Sequence, residues 1–198
     1  VVGVMTRDDP LLLDRLAAGD ERVLEELLAR HWDGLLRYAW GFLRDWDRAE
    51  DVTQGAYVRL WAERDRWEAG SATGLLYRIV RNASLDVVRR ASRRAGSGAI
   101  AAMPAQGAPD RTLELSELER AAAAAVASLP ERRGEVFRLA REQALSYAEI
   151  ADVMGLSVQT VANHMSLALS DLRAALRPHL DAEGRADDSE RGRTEAES

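Results

Sequence analysis

Apolar residues return every three or four positions along most of this chain, and turn and cap signals stand between the runs. Asp8 or Asp9 before Pro10 reads as an N-cap followed by a first-turn proline, opening a short helix through Leu16 that Gly19 ends. Asp20 then caps a longer segment with Val23, Leu24, Leu27, Leu28, Leu35, Tyr38, Ala39 and Phe42 at helical spacing. A third helix is predicted over residues 47–66, with Val52, Ala56, Leu60 and Trp61 inward. A fourth begins at Ser71 or Thr73, carries Leu76, Ile79, Val80, Ala83, Val87 and Val88, and runs out in Arg89, Arg90, Arg93 and Arg94.

The pattern then lapses. Gly, Ala, Ser and Pro dominate "AGSGAIAAMPAQGAPDR", which predicts a flexible linker over residues 95–112. Periodicity resumes at Leu113 and continues through the Ala-rich "LERAAAAAVASLP"; Pro130 opens another helix, "ERRGEVFRLAREQ". Ser146 with Glu149 forms a capping box ahead of "SYAEIADVM", and Gly155 breaks that helix. Ser157 caps the last one, whose buried stripe is Val161, Met165, Ala168, Leu172 and Leu176. The expected fold is all-α: two small helical domains (8–94 and 113–178), the second a helix-turn-helix, joined by the linker and followed by a disordered acidic tail (179–198).

Composition agrees with helices: aromatics are 6% of 198 residues and no β-branched run occurs. The absence of Cys excludes a disulfide framework and a thiolate metal site, and a reducing, cytoplasmic setting is expected. His31, His164 and His179 are too scattered for a metal site, so no cofactor is expected. Apolar runs are short and interrupted by charge, which predicts neither a membrane span nor a secretory signal; Met5 is a candidate start.

A net charge of -6 argues at first against nucleic acid, but its distribution matters more than its sum. Seven acids against three Arg after Leu180 account for most of the excess, and every basic residue in the chain is Arg, which suits bidentate phosphate and guanine contacts.

In the last helix Gln159, Asn163, Ser166 and Ser170 lie opposite the buried stripe, flanked by Thr160 and His164; all four can exchange hydrogen bonds with base edges. The same row is also what the solvated face of any amphipathic helix looks like, but here it follows a turn of the right length and a capping box. No Lys or Arg occurs between Arg141 and Arg173, so phosphates must be met by the backbone at the helix N-terminus and by Arg132, Arg133, Arg138 and Arg141 on the preceding helix. Such a domain binds DNA weakly alone.

In the first domain "YRIVRNASLDVVRRASRR" places Arg78, Arg81, Arg89, Arg90, Arg93 and Arg94 on one helix with Asn82: a phosphate strip, or a solvated helix with favourable C-terminal cations. Asp45, Asp47, Glu50 and Asp51 gather at a helix start, where carboxylates are stabilising; a docking surface for a basic partner is equally allowed.

Together "AEDVTQGAYVRLW", "LLYRIVRNASLDVVRR", the linker, "LPERRGEVFRLAREQALSYAEIADVMGLSVQTV" and "LSDLR" resemble the extracytoplasmic-function group of the sigma-70 family of bacterial RNA polymerase sigma factors, over residues 11–177. The resemblance implies core RNA polymerase and promoter DNA as partners, often with an anti-sigma factor. It assigns Asp47, Glu50, Asp51, Gln54, Tyr57 and Trp61 to core polymerase. Trp67, Arg78, Arg81, Asn82, Arg89, Arg90 and Arg93 go to the -10 element, with the loop 66–73 capturing a flipped base. Arg132, Ser157, Gln159, Thr160, Asn163, His164 and Ser166 go to the -35 element. Gly55 stands where the family usually has an acid, Leu75 where it often has Trp, and Ala162, His164 and Leu167 replace frequent basic residues. The competing expectations are a stand-alone helix-turn-helix regulator with a helical partner-binding domain, and a helical enzyme. The enzyme has little support, since Glu50 and Asp51 do not face each other across a pocket and no nucleophile motif occurs.

Overall fold

A computed structural model describes residues 11–67, 70–94 and 117–196, for 180–196 the backbone alone. The linker expected over 95–112, the second domain's expected start at Leu113, and the Asp8–Pro10 cap lie outside these residues. Among those described there are eight α-helices and no strand.

The first domain is built from α1 (Leu11–Ala17), α2 (Arg22–Leu43), α3 (Trp46–Ala62), a 3-10 turn (Arg64–Arg66) and α4 (Ala72–Arg94). The N-cap position of α2 is Glu21, without a side-chain cap, rather than the expected Asp20; the Asp20 carboxylate, one residue earlier, accepts from the Arg22 amide at 3.1 Å. The break expected between Phe42 and Asp47 falls at Arg44 and Asp45: Arg44 takes the left-handed region at φ 53° with its amide on the Trp40 carbonyl, and its guanidinium lies 4.8 Å over the Trp40 ring. That cation–π contact offsets part of the cost of a non-glycine residue in this conformation. Asp45, extended, then caps α3 by accepting from the Arg48 amide at 3.1 Å. The third helix ends four residues short of the predicted Arg66, at Ala62, and the chain tightens into the 3-10 turn.

The second domain comprises α5 (Glu117–Ser128), α6 (Glu131–Arg141), α7 (Tyr147–Met154) and α8 (Val158–Ala196). The capping box is present with both of its bonds, and Gly155 ends α7 at φ 66°. Val161, Met165, Ala168 and Leu172 are buried as the stripe predicts, and Leu176 packs partly buried beside them. The Ala-rich α5 lays Ala125 and Leu129 on Ala168 and Leu172, where small side chains let the two backbones approach. The backbone of α8 continues through Pro178 to Ala196, so the acidic end expected to lack order falls within the helix's span. Proline forfeits one backbone bond there.

The two domains do not stand apart. One contiguous core runs from Leu16, Leu27, Leu35, Leu60 and Leu76 into Val136, Leu139, Leu145, Ile150 and Met165, with α7 packed on α4.

Candidate polymerase and nucleic-acid interfaces

Three surfaces carry the residues singled out by the sequence. On α3, Asp47, Glu50, Asp51 and Gln54 are exposed along one face, with Gln54 Nε2 donating to Glu50 Oε1 at 3.2 Å. Val58, one turn further on, is 69% exposed and extends the same face with an apolar contact that the sequence reading missed; the i, i+4 step from Gln54 is the signal that would have found it. Tyr57 departs from its expected place. It is buried, stacks near Trp32 at 6.1 Å, and donates its hydroxyl to the Leu27 carbonyl at 3.1 Å; burial pushes its phenol above the usual range. In this arrangement Tyr57 holds α3 to α2. Trp61 is half-buried under the Arg64 guanidinium at 4.7 Å.

On α4, Arg78, Asn82, Arg89, Arg90 and Arg93 are exposed. Arg89 meets Asp86 at 3.2 Å, an exposed pair of small energetic weight. Trp67 is half-buried, its indole N–H donating to the Leu60 carbonyl at 3.2 Å, which ties Trp67 to the end of α3. Gly74 N–H donates to Ser71 Oγ at 3.1 Å, so Ser71 helps start α4. Arg81 is not on the open strip. Its Nε donates to Glu135 Oε1 at 2.7 Å and its Nη2 to Oε2 at 3.4 Å, across the domain boundary. Glu135 is 3% exposed and also accepts from the Tyr38 hydroxyl at 2.7 Å. Burial acts to lower the Arg81 pKa, but the bond and charge of Glu135 outweigh it and hold the guanidinium above its ordinary value. Tyr38 is driven well above its ordinary value by burial and by the Glu135 charge, so it stays a donor. Nothing in the sequence pairs these residues, which are 97 and 54 positions apart.

On the second domain, α7, the Gly155–Ser157 turn and α8 form the helix-turn-helix. Ser157 Oγ accepts from the Thr160 amide at 3.1 Å and lies 2.8 Å from Thr160 Oγ1, so Ser157 caps and Thr160 braces the cap. Gln159, Asn163, Ser166 and Ser170 are exposed in the expected row, and Gln159 Nε2 donates to Asn163 Oδ1 at 3.1 Å. That bond orients both amides along the face that a major groove admits. His164 is half-buried, with Nδ1 covered and lacking a hydrogen-bond partner. Of the α6 arginines, Arg132 and Arg141 are exposed, whereas Arg133 is held by Asp171 of α8 at 2.6 Å.

Between the domains, α2 and α6 border a groove of about 810 Å³. Leu36, Trp40, Phe42 and Trp46 give it an apolar wall, with Trp40 and Trp46 stacked at 5.7 Å, and Arg37, Arg44, Arg138, Glu131 and Glu142 rim it. Among the described residues no His or carboxylate cluster could hold a metal, and no helix is long and apolar enough to cross a membrane.

Among the described residues the chain is all-helical, with an exposed polar row on a capped helix-turn-helix in one domain and an acidic, solvent-facing helix in the other, the layout of a DNA-binding class of protein. Comparison makes that class specific. Residues 27–94 match the family model for Sigma-70 region 2 and residues 119–172 that for Sigma-70, region 4, together more than half the chain. The ECF RNA polymerase sigma factor SigE of Mycolicibacterium smegmatis is 30% identical over 170 residues, covering 82% of this chain and 66% of that protein. The RNA polymerase sigma-H factor of Pseudomonas aeruginosa is 27% identical over 184 residues, covering 87% and 95%. Among solved structures, the Bartonella quintana sigma factor RpoE in complex with the anti-sigma factor NepR aligns with a TM-score of 0.57 at 26% identity, over 79% of this chain and 98% of that one. The chain belongs to the extracytoplasmic-function group of the sigma-70 family, the factors that bind RNA polymerase and direct promoter recognition.

Proposed function

We propose a division of labour among the three surfaces. The exposed face of α3, from Asp47 through Glu50, Asp51 and Gln54 to Val58, docks on a basic, partly apolar surface of core polymerase. Arg78, Asn82, Arg89, Arg90 and Arg93 of α4, with the Trp67 loop, engage the -10 element, and a base of the opened strand enters that loop. Unstacking a base costs a few kcal/mol, which binding to polymerase and to both elements offsets without nucleotide hydrolysis. The row on α8 reads the -35 element, with Ser157 and Thr160 setting its N-terminus and Arg132 reaching the backbone.

The observation that carries this reading is the exposed Gln159–Asn163 pair on the capped start of α8, backed by the buried residues Val161, Met165, Ala168 and Leu172. Because α8 offers base contacts and few phosphate contacts, promoter affinity must come from the complex with polymerase. The factor works by binding, with no turnover of its own, in the cytoplasm where the polymerase acts. An anti-sigma factor is a further partner, supported by the Bartonella relative, which was solved with one. In vitro transcription with core polymerase and genomic promoter fragments tests the assignment: specific transcripts dependent on the factor are expected. Tight operator binding by the purified chain, with no response to polymerase, would establish the stand-alone regulator instead.

A further inference from the structure

The exposed face of α8 has a chemical bias. Gln159 and Asn163 stand one turn apart and act as a unit, because Gln159 Nε2 donates to Asn163 Oδ1 at 3.1 Å. That bond takes up one amide proton and one carbonyl lone pair. It leaves Gln159 Oε1 to accept and the Asn163 amide protons to donate. An acceptor beside a donor matches the major-groove edge of adenine, where the exocyclic amine donates and a ring nitrogen accepts. Guanine presents two acceptors there, its carbonyl oxygen and the ring nitrogen, and needs two donors from one side chain, as arginine supplies. No Lys or Arg stands on α8 before Arg173. His164 does not fill that gap: its Nδ1 is covered, so the ring has a single nitrogen for a base.

Apolar side chains border the same face. Leu167 lies one turn beyond Asn163 on the same side of the helix and is 47% exposed, while Val158, at the first helical position beside Gln159, is 50% exposed. Neither belongs to the buried set Val161, Met165, Ala168 and Leu172 that holds α8 in the domain. In a major groove the methyl partner for an aliphatic group is the 5-methyl of thymine; against other base edges it desolvates polar groups without replacing their hydrogen bonds.

We propose that α8 is built to read A·T pairs: the coupled Gln159 and Asn163 amides take an adenine edge, and Leu167, with Val158 at the opposite margin, packs on thymine methyl groups. The proposal rests on the assignment of α8 to the -35 element and adds the base composition of the part that α8 touches. The spacing suits adjacent pairs, since one turn of helix advances about 5.4 Å, between one and two base-pair steps of roughly 3.4 Å. A face made of amides and aliphatic groups discriminates among bases without adding phosphate affinity, so it selects sequence and leaves the holding of DNA to other surfaces.

The test uses core polymerase with the full-length chain and a transcribed genomic promoter whose -35 region has been randomised. The positions that α8 contacts are those where Asn163→Ala or Leu167→Ala relaxes the base preference of DNA recovered in open complexes. Adenine or thymine is expected at each of them, with no preference for guanine. In the selected promoter, uracil in place of thymine at the Leu167-dependent position removes only the methyl and should lower complex formation about threefold to fivefold. At the Asn163-dependent position 7-deazaadenine removes only the ring acceptor and should lower it roughly twofold to tenfold. Each alanine variant should lose the penalty at its own position and keep the other, a pattern that a merely misfolded helix would not give. Preferred guanine at a contacted position, or equal complexes with uracil and thymine, overturns the A·T reading and leaves the -35 assignment standing. Should the unmodified chain support transcription while neither variant changes preference anywhere in the -35 region, the assignment of α8 to that element falls, and this inference with it.

Discussion

The two surfaces proposed to meet DNA differ in opposite senses. Helix α8 carries hardly any positive charge near its start yet presents the polar row Gln159, Asn163, Ser166 and Ser170 to solvent. Helix α4 is rich in exposed arginine, yet Arg81 is turned inward onto the buried Glu135 of α6, and Glu149 and Asp152 of α7 border the same cleft as Trp67 and Arg78. Charge density along a helix therefore says which surface could hold DNA, and the packing of its neighbours says when.

The sharpest way to break this contrast is at Glu135. Replacing it by Ala leaves the Arg81 guanidinium and the Tyr38 hydroxyl without their partner, and loss of one member of a buried pair costs about 3–5 kcal/mol. Chemical denaturation should show that loss; a variant of unchanged stability would erase the difference between the surfaces. Next in size, Arg89→Ala combined with Arg90→Ala removes two exposed cations from α4. The plot of log affinity against log salt for the polymerase–promoter complex should flatten by about 0.7–0.9 per lost phosphate contact. An unaltered slope would remove α4 from the phosphate interface.

Smaller still, Asn163→Ala should leave that slope intact and lower discrimination at one -35 position by about 1–3 kcal/mol, measured as transcription from a panel of -35 variants. The least effect is expected at Gly55, which is exposed in mid-helix with open space around it: Gly55→Ala should raise the stability of α3 by about 1 kcal/mol, read as a higher melting temperature, with both DNA surfaces unchanged.

Much of the local structure was legible. The Ser146–Glu149 capping box, the left-handed Gly155 and the Val161–Leu172 stripe depend on residues within a few positions of each other, and they form as the spacing dictates. Asp45 as the cap of α3 and the exposed acids that follow are legible for the same reason. Errors cluster where a long-range partner decides. Tyr57 has the composition of a surface aromatic on an amphipathic helix, but the Leu27 carbonyl thirty positions away draws its hydroxyl inward. Arg81 belongs by sequence to a solvent-facing strip, and only Glu135 turns it toward the interior. Val58 escaped notice because one apolar residue on a polar face looks incidental until the whole face is seen to be open.

By itself the sequence determined the order of the helices among the described residues, the capping box of α7 and the buried stripe of α8, because helix period and end chemistry act over a turn or two. The tertiary structure alone decided that the halves share one core, that Arg81 meets Glu135, and that Glu149 and Asp152 of α7 border the same cleft as Trp67. Those outcomes depend on which apolar and charged surfaces meet after the chain has closed on itself. Such meetings are set by shape and desolvation between distant segments, which no local spacing encodes.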